Sequence, residues 1–233
     1  MKVFISDELK DWDIAMGVGV VKGVNNRVDP NILNQLIEST VDQVRSSLSL
    51  DSLKDDPVIR LYRDFYWRLG IDPTKQRPSQ EALIRRILRG EFPRINPVVD
   101  IGNVVSVKYK VPVGLYDLRK IGSVEYIVLR YAAEGEYFTP LGSPKMNLKG
   151  NQIVLASSDG KVIHVYPYRD SELTKIDEFT EDVLMVTAGV RGVDDGVLLD
   201  ALSELGVLME RYLGGSFMAH GIVKVGRSLI INV

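Results

Sequence analysis

The chain has 233 residues, 45% hydrophobic and 26% charged, with a formal net charge of −2 and no cysteine. The missing cysteines exclude disulfides, thiol nucleophiles and thiolate metal sites, and fit a reducing, cytoplasmic setting. The near-neutral charge argues against a protein that coats nucleic acid, and no apolar run reaches the roughly 18 residues that a membrane span needs.

The first segment carries Lys2–Ile5 and then Ile14–Val24, a nearly continuous β-branched run that predicts a strand buried on both faces. Gly17, Gly19 and Gly23 lie in or beside it, but no glycine-rich turn opens a helix there, so they mark close packing or a bulge, not a phosphate loop. No basic region followed by an apolar stretch opens the chain, so no secretory leader is expected. Three helices follow. The first starts at Asp29-Pro30, the second at Asp56-Pro57 with Gly70 as its stop, and the third near Ser79 with Gly90 as its stop.

The stretch from Lys75 to Arg94 holds Lys75, Arg77, Arg85, Arg86, Arg89 and Arg94 against Glu81 and Glu91 alone. Arg85 and Arg89 are four apart and are expected to stack on the solvent face of the third helix. They read either as a phosphate-contacting stripe for RNA or as a solvated helix face, since no aromatics interleave to stack bases.

Asn96-Pro97 opens a central helix, with Asn96 as N-cap and Pro97 at the first helical position. Val98, Ile101, Val105 and Tyr109 form one stripe, while Asp100 and Asn103 share another face. Val111-Pro112 ends this helix, and a turn then leads to Asp117.

Beyond this point the pattern becomes β. Strands are expected at Ser123–Arg130, Gln152–Ala156, Lys161–Tyr166 and Val183–Val186, with Ser158-Asp159-Gly160 as a tight turn. A long helix is expected from Asp194 to Leu213, followed by a hairpin formed by Gly221–Val225 and Leu229–Val233 around Gly226. His164 reads as a neutral strand histidine sharing a face with Val162 and Tyr166. The two histidines are far apart and give no metal-ligand spacing, and no cofactor motif is present. The polar stretch from Tyr166 to Thr180 reads as a loop at one sheet edge, suited either to recognising an amine, hydroxyl or carboxylate or to bonding its own backbone.

Asn96, Val98, Val99, Asp100, Ile101 and Asn103, followed by Pro112, Tyr116 and Asp117, resemble the signature of the B3/B4 domain, the editing module of the phenylalanyl-tRNA synthetase β subunit. The resemblance covers roughly residues 60 to 215 within a single domain spanning 1–233. It implies an α+β fold in which an N-terminal helical layer packs on a mixed, β-sandwich-like core. Placing Thr180, Val183 and Leu184 on the family's Thr-x-x-Val-Leu segment puts Glu172 where that module has its hydroxyl-reading glutamate, and Thr174 on a position usually Ser or Thr. The implied pocket is bounded by Gly114 to Tyr116, the strand after Ser123, and Glu172 to Thr174, with Arg169, Asp170 and Asn103 as further substrate contacts and a water placed near Glu172 and Thr174. Bacterial members usually carry a histidine where this chain has Gly114.

Three functions follow. The first is a trans-acting aminoacyl-tRNA deacylase that binds the 3′ end of tRNA, with Lys75, Arg85, Arg86, Arg89 and Arg94 on the RNA. The second is a non-catalytic RNA- or aminoacyl-binding module, and the third a small-molecule binder on the same scaffold.

Overall fold

The computed structural model describes residues 1–232, and Val233, the last residue of the expected C-terminal hairpin, lies outside them. In chain order the elements are β1 (Lys2–Ile5), β2 (Ala15–Lys22), α1 (Asn34–Ser47), α2 (Pro57–Arg68), α3 (Ser79–Leu88) and α4 (Pro97–Tyr109). They continue with β3 (Val113–Asp117), α5 (Leu118–Ile121), β4 (Tyr126–Tyr131), β5 (Tyr137–Phe138), β6 (Met146–Asn147), β7 (Ile153–Ser157) and β8 (Val162–Val165). The last are β9 (Arg169–Asp170), β10 (Val183–Gly189), α6 (Asp195–Leu213), β11 (Ser216–Lys224) and β12 (Leu229–Ile230).

Two sheets carry the molecule. One is six-stranded, in the order β12-β1-β4-β7-β8-β9, and the other four-stranded, in the order β11-β2-β10-β3. Their inward side chains share one core, to which Ile127, Leu129 and Leu155 come from the first sheet and Met16, Tyr116 and Val186 from the second. Helix α6 covers the far face of the four-stranded sheet, α4 packs beside it, and α1 and α3 pack on α4. The fold is thus α+β, with a helical layer on a sandwich of one mixed and one antiparallel sheet.

Strand β2 is buried over all but its last residue, as its β-branched run predicts. Its glycines exist for close packing. A Cβ on Gly17 would come within 2.2 Å of Thr187 Oγ1 and 3.2 Å of the Leu198 carbonyl, so any larger residue would lift α6 off the sheet. Gly19 lies opposite an irregularity in β11 between Phe217 and His220.

Helix starts follow their caps. The Asp56 side chain accepts from Val58 N and Ile59 N, and Asn96 Oδ1 accepts from Val99 N at 3.0 Å. The first helix differs: Asp29-Pro30 opens a 3₁₀ turn, and α-helical bonding begins only at Asn34. Residues 113–117 are a strand, not a turn, because they pair antiparallel with β10. The C-terminal segments do not form a hairpin within one sheet. The backbones of Lys224 and Arg227 bond reciprocally in a tight corner, after which β12 crosses to pair with β1 in the other sheet.

Candidate active site between the two sheets

Three of the polar positions in the central motif, Asn96, Asp100 and Asp117, hold backbone. Asn96 caps α4. Asp100 is buried and accepts from Arg94 Nε and Ile95 N, both at 2.8 Å, which ties the entry loop to the first turn of α4. Its charge there also faces the positive end of the helix. Asp117 is buried too: Oδ1 accepts from Arg119 N and Lys120 N and so caps α5, while Oδ2 accepts from Thr180 Oγ1 at 2.7 Å. These carboxylates fix the frame around a site that other residues line.

That site has two adjoining parts. The inner chamber, about 60 Å³, lies between the sheets and is lined by Gly114 and Tyr116 of β3, Leu155 of β7, His164 of β8, Tyr168 and Asp170. The outer cleft, about 400 Å³, opens between α4, β3 and the loop after β9, and Asn103, Leu115, Lys175, Ile176 and Asp177 line it. Val113 and Asp170 border both. The cleft combines an apolar wall with one amide, one ammonium and two carboxylates, a composition suited to a small amphipathic ligand.

Polar contacts in the chamber are specific. His164 Nδ1 lies 2.8 Å from Asp170 Oδ1. A carboxylate only accepts, so Nδ1 is the donor of this pair, and Nε2 has no hydrogen-bond partner among the described residues. The Tyr116 phenol is raised well above its usual pKa by burial first, and then by the charge and accepting oxygen of Asp170. Tyr116 thus stays neutral. Tyr166, raised by burial, donates to the Gly189 carbonyl at 2.7 Å and braces the chamber wall.

A β-bulge puts His164 there. Strand β8 pairs Val162 with Ala156 and His164 with Leu155, which leaves Ile163 as an extra residue. Strict alternation would put His164 on the face of Val162. Instead Val162 and Val165 pack with Phe138 and Leu148, while Ile163 and Tyr166 join the main core and His164 faces Tyr116.

Gly114 has a steric reason. A Cβ there would lie 2.1 Å from the Tyr116 hydroxyl oxygen, so Tyr116 occupies the space a side chain at 114 would need. Of the residues expected on substrate, Gly114, Tyr116, Asn103 and Asp170 line the two-part site. Glu172, Thr174 and Arg169 do not line either part, and neither does β4, the strand after Ser123; β7 and β8 take its place. The Glu172 carboxylate pairs with Lys175 Nζ, a bond that holds it below the usual carboxylate range, and Lys175 in turn lines the cleft. Thr174 is buried with no partner for its hydroxyl, and Arg169 donates outward to Ser143 Oγ.

The basic stripe is largely committed within the fold. Arg85 is not on an open solvent face: its Nε pairs with Glu81 at 2.9 Å, and Glu81, whose side chain is fully buried, also takes Arg63 at 3.0 Å. Burial of that carboxylate draws the guanidinium inward. Arg86 pairs with Glu91, and Arg94 with Asp100 while it also donates to Asn34 Oδ1 and the Pro30 carbonyl. Lys75 and Arg89 are exposed and make no ion pair among the described residues. No group of three or more His, Asp or Glu among the described residues is placed to hold a metal, and no helix there is long and apolar enough to cross a membrane.

An α+β sandwich with a two-part pocket, mainly apolar with a few polar groups, beside its central helix defines a class, and comparison with known proteins gives the family. The model of the B3/4 domain matches residues 61–214, and the chain belongs to that family. It is 25% identical over 244 residues to the phenylalanine–tRNA ligase β subunit of Bacillus cereus, an alignment spanning 94% of this chain and 28% of the relative. To the same subunit of Carboxydothermus hydrogenoformans it is 30% identical over 123 residues, 53% of this chain and 15% of the relative. An N-terminal fragment of the phenylalanyl-tRNA synthetase β subunit from Pyrococcus horikoshii aligns over 92% of this chain and 49% of that one, with a TM-score of 0.47 and 18% identity. The chain is a tRNA-synthetase-related domain that spans less than a third of these two ligase subunits.

Proposed function

We propose that this chain is a trans-acting editing protein that hydrolyses the ester of a mischarged aminoacyl-tRNA. The observation that carries the reading is the two-part pocket, in which an amphipathic cleft adjoins a smaller, mainly apolar chamber that holds a few polar groups, with Asp170 bordering both. In this reading the amino-acid side chain lies along Val99, Leu115 and Ile176 in the cleft. The α-ammonium meets Asp170 or Asp177, the Asn103 amide and Lys175 orient the carbonyl end, and the ester reaches the chamber mouth. An aminoacyl ester is already activated, so orientation and charge stabilisation carry most of the work. The family supports the substrate class, since the curated relatives are subunits of a ligase for phenylalanine and tRNA. On the RNA side, Lys75 and Arg89 remain for phosphate contact.

The test is release of amino acid from a panel of mischarged tRNAs, tyrosyl-tRNA(Phe) among them, by the wild type, Asn103→Ala and Glu172→Ala. Hydrolysis well above the spontaneous rate on at least one member, weakened severalfold to about tenfold by Asn103→Ala, supports the reading, since a hydrogen bond to substrate is worth about 0.5–1.5 kcal/mol. Glu172→Ala reports the coupling through Lys175. Retained binding of aminoacyl-tRNA with no turnover would favour a binding module, for which the filled space at Gly114 speaks.

A further inference from the structure

We propose that His164 is the general base of this site: its Nε2 takes the proton of a water held in the inner chamber, with Asp170 fixing the tautomer. The inference rests on the hydrolase reading and adds the group that performs the chemistry. Its geometry is already assembled. Asp170 holds Nδ1 at 2.8 Å, Nε2 has no partner among the described residues, and the ring lines the chamber. That is the arrangement by which a carboxylate orients an imidazole for proton transfer. The chamber volume of about 60 Å³ has room for a water, which needs roughly 10–15 Å³. Asp170 also borders the cleft, so the carboxylate that orients the base lies where the ester would enter.

The step balances without a cofactor. The water oxygen bonds to the ester carbonyl carbon as its proton passes to Nε2. The bond from that carbon to the terminal ribose oxygen then breaks, and Nε2 returns the proton to the leaving oxygen. Free amino acid and deacylated tRNA result, with neutral His164 restored. No serine or cysteine nucleophile is required.

The test compares the full-length wild type, His164→Gln and Asp170→Asn on the aminoacyl-tRNA that the wild type hydrolyses fastest. His164→Gln is expected to lower kcat by about 100-fold or more with KM within about threefold, the range for loss of a general base. Asp170→Asn is expected to lower kcat as well, because an amide that donates reverses the tautomer. In His164→Gly, added imidazole should restore part of the rate, which a purely structural histidine would not allow. Nitrogen-15 NMR of the wild type alone should find the Nδ1–H tautomer at His164, a readout independent of whether the variants fold. Turnover by the wild type that His164→Gln retains overturns the base assignment and leaves the hydrolase reading standing. An Nε2–H tautomer also overturns the base assignment. Absence of wild-type turnover on every member of the panel overturns both.

Discussion

A side chain at position 114 and the tyrosine two residues later cannot both point into the space between the sheets. Gly114 and Tyr116 share one face of β3, and the tyrosine hydroxyl sits 2.1 Å from where a Cβ at 114 would be. Gly114→Ala should therefore destabilise the protein by about 1–3 kcal/mol in urea unfolding, the usual range for overpacking a core. In a Tyr116→Ala background the same change should be nearly neutral, and an equal penalty in both backgrounds would show that the clash lies elsewhere. A second residue-scale expectation concerns acid. Glu136 is held below the usual carboxylate range: burial pushes it upward, but the bidentate Arg130 pair at 2.7 and 2.9 Å and the Ala133 N–H outweigh that. A depressed folded pKa contributes stability that is complete above the unfolded value of about 4.3 and is lost as pH falls through the folded value. Glu136→Gln should thus be less stable than wild type at pH 7, with the difference shrinking below about pH 4. Thermal unfolding across pH 3 to 7 measures it.

At the scale of elements, capping residues made the helices legible. Asn96-Pro97, Asp56-Pro57 and Asp194 each precede a helix that begins where expected, because an N-cap is a local chemical device. Asn96→Ala should cost about 1 kcal/mol. Local pattern failed where distant partners decide. The period-2 reading of β8 grouped His164 with both Val162 and Tyr166; it lies beside Tyr166, but Val162 packs on the other side, because nothing local announces the bulge at Ile163. The C-terminal corner read as a hairpin because the pairing of β12 with β1 spans the whole chain. The arginine stripe misled for a related reason: spacing fixes the helix face, but burial of Glu81 decides what lies against it. Arg85→Ala should accordingly lower stability with little effect on tRNA affinity. Arg89→Ala should do the reverse, weakening tRNA binding and reducing its salt dependence. Glu81→Ala, which strands two inward arginines, should cost about 3 kcal/mol or more. Chemical denaturation and filter binding separate these effects.

For the whole molecule, the signature identified the family but said little about the chemistry, since Asn96, Asp100 and Asp117 spend their side chains on capping and on the entry loop. The site forms where β3, β8 and the segment after β9 converge, and Tyr116, His164 and Asp170 come together only once both sheets are stacked. Tyr116 and Asp170 stood out in the sequence through the family pattern and the polar loop. His164 stood out only as one of two histidines, and pairing across the edge of the sheet gives it a partner. The tertiary fold thus turns a strand histidine and a loop carboxylate into an oriented pair beside a ligand-sized cleft.

The most direct test of this function is the rate at which the purified protein frees tyrosine from tyrosyl-tRNA(Phe), measured beside the same tRNA correctly charged with phenylalanine. Rapid release of tyrosine with phenylalanyl-tRNA(Phe) spared is the expected result. Loss of neither ester beyond the spontaneous rate, here and across the other mischarged tRNAs, would contradict it.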